Sequence, residues 1–398
     1  MAERGRAGRA AAGRAPRLLY VTTVELTLRA FLLPYADHFR RRGWTVDALA
    51  RGASTSPSLA GRFDAVHEVE WSRSPWRIDN FTRSLRRVRQ VVRRGDYDLV
   101  HVHTPVAAFL TRAALRGLRR AGQGPRVVYT AHGFHFYRGA PAARAALFRG
   151  AERLAGRWTD GLLVINPEDH AAALEQRIVA DDRRVWLVPG VGVDTATLAA
   201  ERIDVDDVAR TRAELGIPPQ ARVLLFAGEF NPGKRQRQAV EALARLGRAD
   251  VHLVCAGEGP MRRATRQLAD SLGVGAQVHL PGFRSDVPVL MRMADALLLL
   301  SEREGLPRSV LEAMALRVPA VGTRVRGIRD LLGDGCGLLV ELDDATGTAE
   351  AITQLLDEPG LGVRLADAAH RRVLDYDVAT VLALHERIYA ELLADPTR

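Results

Sequence analysis

Short apolar runs alternate with amphipathic stretches of helical length along most of the chain. In the first half these runs are Leu18–Val24, Thr45–Ala50, Leu99–His103, Val127–Ala131, Gly161–Ile165 and Val185–Val188. In the second half they are Val223–Gly228, Val251–Gly257, Val278–Leu280, Ala296–Ser301 and Pro319–Gly322. Short apolar runs separated by helices are typical of parallel strands that are covered on both faces. The pattern therefore predicts an α/β protein with two doubly wound, Rossmann-like sheets.

The length of the chain agrees with two domains, because 398 residues exceed what one hydrophobic core usually organises. The two series of runs meet near Asp194–Asp204, which predicts domains over residues 17–198 and 199–377. We expect these domains to face each other across a cleft. The segment from Val378 to Leu393 is predicted to be a helix, within residues 378–398, that packs back on the first domain.

Ligands of open α/β sheets bind beyond the carboxyl ends of the strands, so the residues after each run are the first candidates for function. The segment from Ser301 to Ala315, SEREGLPRSVLEAMA, directly follows the run Ala296–Leu300. Pro307 is suited to the first turn of a helix. Free backbone N–H groups around Ser309 and Val310 then predict a phosphate site at the helix N-terminus.

Two glutamates belong to this segment, Glu304 before the predicted helix and Glu312 within it. Eight residues of helical rise separate their backbones by ~12 Å. The carboxyl groups of a glycoside hydrolase pair lie ~5–9.5 Å apart. The spacing favours two glutamates that bind different parts of a long ligand through its hydroxyl groups. The alternative is a solvated run of charges, Glu302 to Glu304, with Glu312 as an ordinary helix residue.

A second segment, GEFNPGKRQ from Gly228 to Gln236, also follows a predicted strand and opens a helix. It contains Lys234, the single lysine of a chain with 56 arginines. A compact ammonium group suits a diphosphate oxygen in a way that a planar guanidinium does not. We interpret Lys234 as a diphosphate ligand. The alternative is that the position of Lys234 is accidental, since the single lysine of an arginine-rich chain must occupy some position.

Two further strand ends carry candidates. His132, in the segment AHGFHFY, lies at the tip of the run Val127–Ala131, where a neutral imidazole can form a hydrogen bond with a sugar or a phosphate. His135 lies one loop step further on and is more simply a packed residue. The turn from Gly257 to Gly259 predicts a close backbone approach and a helix start, although such turns are common.

The remaining chemistry of the sequence excludes several classes of site. Cys255 and Cys336 have no partner at metal spacing and form no disulfide framework, which agrees with a reducing cytoplasm. Asp pairs at 181–182, 206–207 and 343–344 do not follow apolar strands, so we predict no metal and no cofactor. No run approaches the ~18 consecutive apolar residues of a membrane span. We expect a cytoplasmic protein that is peripheral at the inner face of the membrane.

The charge of the chain is unevenly distributed, with +14 up to Leu198 and −4 beyond it. A basic half indicates an anionic partner: nucleic acid, a membrane surface or a phosphate-bearing substrate. Trp76 leads into the basic stretch Thr82–Arg94, whose composition is typical of a membrane-surface helix. The alternative is the exposed face of an ordinary helix. Residues 1–16 are rich in Ala, Gly and Arg and lack an apolar segment, which predicts a flexible basic tail and not a signal peptide.

Taken in order, these motifs resemble glycosyltransferase family 4, whose members have the GT-B fold of two Rossmann-like domains. The resemblance runs from about Arg17 to Leu393. EGLPRSVLEAMA, with Glu304 and Glu312, resembles the Glu-x7-Glu element of the family, and GEFNPGK resembles its loop before the phosphate-binding lysine. AHGFHFYRGAP, INPEDH and VPGVGVD resemble a bacterial subgroup that builds capsular and exopolysaccharide chains.

The resemblance implies a role for each matching residue. Lys234 would hold the donor diphosphate, Glu312 the ribose hydroxyls and Glu304 the hydroxyls of the transferred sugar, while His132 would contact that sugar from the opposite domain. The predicted catalytic residues are His132, Lys234 and Glu304. The predicted donor-binding residues are Gly228, Asn231, Lys234, Arg235, Gly257, Gly259, Glu304, Gly305, Ser309, Val310 and Glu312. Acceptor or membrane contacts are predicted for Arg29, Trp76, Arg86, Arg87 and His135.

Two positions depart from the family pattern. Glu229 stands where many relatives carry Arg, so one diphosphate cation is missing here or is supplied by Arg235 or another arginine. Thr27 stands where subgroup members often have His, in a first loop that lacks the paired glycines common near the diphosphate.

The resemblance implies retention of anomeric configuration, usually without a metal. The predicted activity is transfer of a sugar from a nucleotide-sugar, with UDP as the nucleotide by resemblance, to a glycan or a polyprenyl-diphosphate-linked sugar in cell-surface polysaccharide biosynthesis. The alternatives are a UDP-sugar epimerase, a non-catalytic sugar-nucleotide sensor and a nucleic-acid-binding protein. No nucleic-acid-binding module is recognisable in the sequence, so we expect no nucleic-acid partner.

Overall fold

The structure is a computed structural model that describes residues 14–71, 78–121, 123–137, 139–199 and 203–395. The chain forms two compact units. The first runs up to Val191 and includes the segment from Ala379, and the second is Gly192–Val378. The division lies a few residues before the junction predicted at Asp194–Asp204, and most of the predicted tail, 1–16, lies outside the described residues.

The first unit is a parallel sheet flanked by helices. Its strands are β1 (Arg17–Val24), β2 (Thr45–Arg51), β3 (Ala65–Glu68), β4 (Leu99–His103), β5 (Arg126–Ala131), β6 (Gly161–Val164) and β7 (Val185–Leu187). Its helices before the second unit are α1 (Glu25–Thr27), α2 (Leu33–Arg41), α3 (Ile78–Gly95), α4 (Pro105–Arg120), α5 (Ala142–Gly156) and α6 (Pro167–Glu175). A π-helical turn lies at Leu28–Leu32, and 3-10 turns lie at Ala53–Thr55, Pro57–Leu59 and Asp182–Arg184.

The strand order of this sheet is β3-β2-β1-β4-β5-β6-β7, and each neighbouring pair is parallel. All six predicted runs are strands. Strand β3 was not predicted because its residues, Ala65 to Glu68, are only partly buried at the sheet edge and mix apolar with polar side chains. The order reverses between β1 and β4, which makes their carboxyl ends the switch point of the sheet.

The second unit repeats this architecture. Its strands are β8 (Arg222–Ala227), β9 (Val251–Ala256), β10 (Val278–Gly282), β11 (Ala296–Leu299), β12 (Ala320–Thr323) and β13 (Leu338–Val340). Its helices are α7 (Val205–Glu214), α8 (Gln236–Leu246), α9 (Arg262–Ser271), α10 (Val287–Arg292), α11 (Arg308–Ala315), α12 (Ile328–Leu332), α13 (Ala345–Asp357) and α14 (Leu361–Val373). Its 3-10 turns lie at Pro232–Lys234, Gly275–Gln277 and Leu374–Tyr376.

The strand order of the second sheet is β10-β9-β8-β11-β12-β13, again with parallel neighbours. Two apolar clusters cover its faces: one contains Leu225 and Leu297, and the other contains Leu224 and Leu298. Alternate residues of one strand thus enter opposite clusters, as the period of a strand requires. The switch point lies between β8 and β11.

The last helix, α15 (Val378–Ala394), packs in the first unit. Its Tyr389 is fully buried and stacks on Phe39 of α2, with ring centroids 5.0 Å apart. Tyr35 of α2 packs edge to face against Tyr20 of β1, with ring centroids 6.4 Å apart. The predicted return of the last helix to the first domain is therefore confirmed. Together α2 and α15 cover one face of the first sheet.

Candidate active site

The loops after β8 and β11 meet at the switch point of the second sheet. The first carries Lys234 and the second carries Glu304. A backbone hydrogen bond joins them, from the N–H of Glu302 to the carbonyl of Gly233 at 2.8 Å. Beside it, Nζ of Lys234 lies 2.6 Å from Oε1 of Glu304. Two residues predicted separately as ligand groups, 70 positions apart in the chain, are thus in direct contact.

The loop that carries Lys234 is held by its own side chains. Asn231 begins a single 3-10 turn and accepts a hydrogen bond from the backbone N–H of Lys234 at 3.2 Å. Arg235 then adopts a left-handed backbone, with φ of 57°, before α8 begins. Gln236 donates to the carbonyl of Glu229 at 2.9 Å. The carboxylate of Glu229 in turn accepts from the Asn231 amide at 3.1 Å, so this departure from the family pattern braces the loop.

Arg235, predicted as a donor-binding cation, is held by two carboxylates. Its guanidinium lies 3.0 Å from Glu302 and 3.2 Å from Asp343. The loop after β11 also lies close to the backbone at Gly327. A Cβ added to Gly327 would lie 2.5 Å from the carbonyl oxygen of Gly305. Lys234 and Arg235 are therefore both held in ion pairs with carboxylates of this unit.

Glu312 lies inside α11 with its side chain 18% exposed, and Arg308 Nε donates to its Oε1 at 2.7 Å. Burial raises the pKa of the Glu312 carboxyl, while the neighbouring guanidinium lowers it in part. The helix begins at Arg308, and Pro307 is its N-cap. Pro307 was predicted to lie in the first turn of the helix and is therefore one position before it. The prediction of a free N–H at Val310 is wrong, because this group donates to the carbonyl of Pro307 at 3.2 Å in a tight first turn. Ser309 lies in that same turn.

The glycines after β8 and β9 allow two loops to interlock. A Cβ on Gly257 would lie 2.0 Å from the carbonyl oxygen of Gly228, and a Cβ on Gly259 would lie 2.4 Å from that of Phe230. Both glycines have φ of 148°. The close backbone approach predicted for this turn is thus made to the loop that carries Lys234. Direct contact of Gly228, Gly257 and Gly259 with a donor remains a prediction.

In the first unit His132 directly follows β5, and its Nε2 lies 3.0 Å from Nδ1 of His103 at the end of β4. Their rings stack, with centroids 5.3 Å apart. Burial lowers the pKa of His132 to about 4, so its imidazole is neutral at neutral pH. The loop after it is held by Asp169, a buried carboxylate that accepts from the N–H of Phe134 at 3.0 Å.

Behind His103 lies a row of buried polar rings that sequence reasoning missed. The ring of His101 is 4.2 Å from that of His103 and 5.9 Å from that of His385. Nδ1 and Nε2 of His101 lie 2.5 Å from the Tyr389 hydroxyl and 2.7 Å from the Thr130 hydroxyl. Burial lowers the pKa of both strand histidines well below the usual value for histidine. The sequence signal for these rings is the alternation of His, Val and His at positions 101–103, within a run that the pattern predicts to be covered on both faces.

The predicted acceptor or membrane residues are spread over the first unit. Arg29 is exposed on the π-helical turn, and Trp76 lies outside the described residues. On α3, Arg86 is exposed, whereas Nε of Arg87 donates to the carbonyl of Glu68 at 3.0 Å. His135 stacks on Phe148 with centroids 4.7 Å apart, as its interpretation as a packed residue predicts. An open depression of about 430 Å³ on α3 is lined by Arg86, Arg89, Gln90, Arg93 and Arg94.

The side chains that could ligate a metal, the cysteines and the apolar helices were also located in the described part of the chain. Within it, no three His, Cys, Asp or Glu side chains lie together in a way that could hold a metal ion. Cys255 and Cys336 are both buried and free, and burial raises the pKa of Cys255 to about 12. None of the helices in the described ranges combines the length and the apolar character needed to cross a membrane.

Relatives of known sequence give the family of the chain. The chain matches the family model for Glycosyltransferase Family 4 over residues 31–197 and that for Glycosyl transferases group 1 over residues 207–372. It is 34% identical to EpsD of Bacillus subtilis (strain 168), named as a putative glycosyltransferase, over 96% of this chain and 98% of that protein. It is 23% identical to UDP-Gal:alpha-D-GlcNAc-diphosphoundecaprenol alpha-1,3-galactosyltransferase of Escherichia coli, over 79% of this chain and 80% of that protein.

Solved structures share the fold. Anabaena Alr3699/HepE in complex with UDP and glucose superposes with a TM-score of 0.80 at 19% identity, over 94% of this chain and all of that one. Sucrose-phosphate synthase from Thermosynechococcus elongatus gives 0.78 at 19% identity, over 95% of this chain and 99% of that one. Likeness at this identity concerns the fold alone, while the sequence relatives give the family. The chain therefore belongs to glycosyltransferase family 4 and is a sugar-transferring enzyme of the GT-B fold.

Proposed function

We propose that this enzyme transfers a sugar from a UDP-sugar to a polyprenyl-diphosphate-linked sugar or another glycan acceptor, with retention of anomeric configuration. The observation that carries the proposal is the contact between Lys234 and Glu304 at the switch point of the second sheet. A nucleotide-sugar presents a diphosphate beside a polyhydroxyl ring, and this pair offers an ammonium group beside a carboxylate.

In the proposed complex the ligand separates the ammonium group of Lys234 from the carboxylate of Glu304. The diphosphate binds Lys234, and a hydroxyl of the sugar donates to Glu304. As the bond between the sugar and the diphosphate breaks, negative charge grows on the leaving oxygen, and the fixed ammonium stabilises it. The acceptor hydroxyl attacks the anomeric carbon from the face that the diphosphate leaves, and a phosphate oxygen takes its proton. Glu312 binds the ribose, and His132 binds the transferred sugar.

The acceptor side of the proposal rests on charge. Helix α3 carries six arginines, and its exposed face includes the depression lined by Arg86 and Arg93. The name of the Escherichia coli relative specifies a diphosphoundecaprenol-linked acceptor. A lipid diphosphate lies in an anionic membrane surface, which attracts a basic face. We therefore place the enzyme at the inner surface of the membrane during transfer.

The test is release of nucleoside diphosphate from UDP-, GDP- and ADP-sugars, each with and without a polyprenyl-diphosphate-linked sugar in detergent. We expect release from a UDP-sugar that depends on the lipid acceptor, is unchanged by a metal chelator and yields a product of unchanged anomeric configuration by NMR. Conversion of the donor without acceptor would support an epimerase instead. Binding without turnover in every pair would support a sensor. Dependence on the chelator would contradict the metal-free mechanism.

A further inference from the structure

His103 is a buried histidine with contacts on several sides. It ends β4 at the switch point of the first sheet, and its side chain is buried. The next residue, Thr104, has φ of 62°, and its hydroxyl accepts from the N–H of Thr23 in β1 at 3.0 Å. On the inner side the His103 ring rests against His101 at 4.2 Å and Tyr20 at 6.0 Å. The edge of the ring that carries Nδ1 faces His132, whose Nε2 lies 3.0 Å away.

We propose that His103 is a positioning residue that fixes the tautomer of His132, so that His132 presents an N–H group to the donor sugar. In this arrangement Nδ1–H of His103 donates to Nε2 of His132, and the hydrogen of His132 then lies on Nδ1. The inference rests on the proposed function, since it assigns the ligand-facing atom of a residue that the proposal places against the sugar.

The choice between the two tautomers follows from the other nitrogen of His103. Its Nε2 is buried and has no hydrogen-bond partner among the described residues. If His103 accepted the bond from His132, its own hydrogen would lie on Nε2 as an orphaned buried N–H. Orphaned buried N–H groups are rarer in proteins than incompletely satisfied acceptors. Placing the hydrogen on Nδ1 puts it within the 3.0 Å bond to His132 instead.

A fixed tautomer has a consequence for ligand recognition. Two nitrogens of a neutral imidazole differ in kind, one a donor and one an acceptor. With Nε2 engaged by His103, only Nδ1 of His132 remains for the ligand, and it can donate but not accept. His132 therefore recognises an oxygen lone pair of the sugar. A ring that flipped or changed tautomer would present an acceptor instead and lose this contact.

The first test is the tautomer itself, which needs no activity. Protein labelled with 15N-histidine is studied by long-range 1H–15N correlation at pH 7.5, and His132 is assigned by its absence from a His132→Gln variant. We expect His132 as the Nδ1–H tautomer in the wild-type enzyme. In His103→Leu, which removes the partner, we expect a mixture of tautomers. An Nε2–H tautomer of His132 in the wild type overturns the proposal.

The second test is kinetic. His103→Asn retains a side-chain N–H that can reach the place of Nδ1, whereas His103→Leu does not. Loss of one ligand hydrogen bond costs ~1.4 kcal/mol, or about tenfold in kcat/KM. We therefore expect kcat/KM to fall about tenfold in His103→Leu and to stay within about threefold of the wild type in His103→Asn. Equal losses in both variants, or none in either, overturn the proposal.

The second unit supplies a matched control. Nδ1 of His252 lies 2.8 Å from Nε2 of His279, and their rings stack at 5.1 Å. His252→Leu breaks this equivalent imidazole pair on β9 and is expected to leave kcat/KM within about twofold. If His103→Leu does not fold, the tautomer of His132 in the wild-type spectrum and the kcat/KM of His103→Asn still test the proposal. If no donor is turned over while His132 has the Nδ1–H tautomer, the proposed function fails, and the assignment of that tautomer to the contact with His103 stands.

Discussion

At the scale of single residues, the site of the second unit is an arrangement of paired charges. Lys234 contacts Glu304, Arg235 contacts Glu302, and Arg308 is paired with the glutamate of its own helix. The side chains of Lys234 and Glu304 are 25% and 15% exposed, so water screens their attraction only in part. A donor must therefore compete with a contact that already exists, and the two members of the pair should respond differently to substitution.

Replacing Lys234 with Ala is expected to lower turnover at least ~tenfold and to weaken binding of UDP, because the diphosphate loses its fixed cation. Replacing Glu304 with Ala is expected to lower turnover similarly but to leave UDP affinity unchanged or higher, because the competing carboxylate is gone. Turnover is measured by UDP release, and affinity by calorimetry with free UDP.

The control for both variants is Arg245→Ala, which removes an exposed cation near the far end of α8. It is expected to change neither turnover nor affinity. Near-normal turnover in both site variants would contradict the assignment of this pair to the active site.

The sequence was sufficient to predict Lys234 and Glu304 as ligand groups, because each follows an apolar strand and Lys234 is the single lysine of the chain. It could not predict that they touch, since 70 positions separate them and strand order decides which loops are neighbours. His103 was missed for a different reason. A histidine inside an apolar run has no periodic signal of its own, and only its tertiary contact with His132 gives it a role.

At the scale of elements, the loops after β8 and β9 are interlocked through glycines. Gly259→Ala places a Cβ against the backbone of Phe230, which cannot rotate away as a side chain can. We expect a loss of more than about 2 kcal/mol in the free energy of unfolding, in the upper range for single substitutions. Far-UV circular dichroism in urea is the suitable measurement, because all five tryptophans lie in the first unit.

The matched control is Gly247→Ala, at a glycine with φ of 62° and no atom within 4 Å of the added Cβ. It carries only the backbone strain of a left-handed residue, ~1 kcal/mol. Equal losses in the two variants would mean that the steric contact at Gly259 relaxes without cost.

Helix α3 carries the second prediction at this scale. Replacing the exposed arginines Arg86, Arg93 and Arg94 with Ser removes three positive charges from one helix. At ~1 kcal/mol for each cation near an anionic surface, binding to phosphatidylglycerol vesicles should weaken ~100-fold. Co-sedimentation at two salt concentrations measures it, and the wild-type affinity should fall as salt rises.

The control variant replaces three exposed arginines of the second unit, Arg245, Arg263 and Arg292, with Ser. It changes the net charge by the same amount and is expected to bind as the wild type does. An equal loss in both triple variants would show a response to total charge and would reject a specific membrane face on α3.

Most elements could be predicted because buried parallel strands are short, apolar and separated by helices. The exceptions are the edge strands β3 and β13, with four and three residues. An edge strand pairs on one side only and needs less apolar surface, so its sequence is less distinctive. The start of α11 was also misplaced by one position, because Pro307 caps the helix where it was predicted to lie within it.

At the scale of the whole molecule, buried histidines make stability depend on pH. Burial lowers the pKa of His101, His103, His132, His252, His279 and His385. In the unfolded chain these groups have a pKa of ~6.5 and bind protons that the folded chain does not. Above pH ~7 neither the folded nor the unfolded chain binds these protons, so the histidines do not lower stability there. The free energy of unfolding falls as the pH decreases from ~7 toward about 4.

We expect the urea midpoint of the first unit, followed by tryptophan fluorescence, to fall between pH 7.5 and 5. In His385→Gln the fall should be smaller, because one of the four histidines of the first unit with a lowered pKa no longer takes up a proton on unfolding. A midpoint that is constant down to pH 5 and drops only where carboxylates titrate would contradict this role of the histidines.

The position of α15 also sets an order of assembly during synthesis. The face of the first sheet that contains Tyr20 and His101 is closed by Tyr389, yet the whole second unit is translated between these residues. The nascent first unit therefore leaves the ribosome with an uncovered aromatic and histidine surface, and it keeps that surface until the last helix emerges. The second unit, by contrast, is contiguous and can fold as soon as it is made. The second unit is thus free to fold before the first unit, whose completion waits for α15.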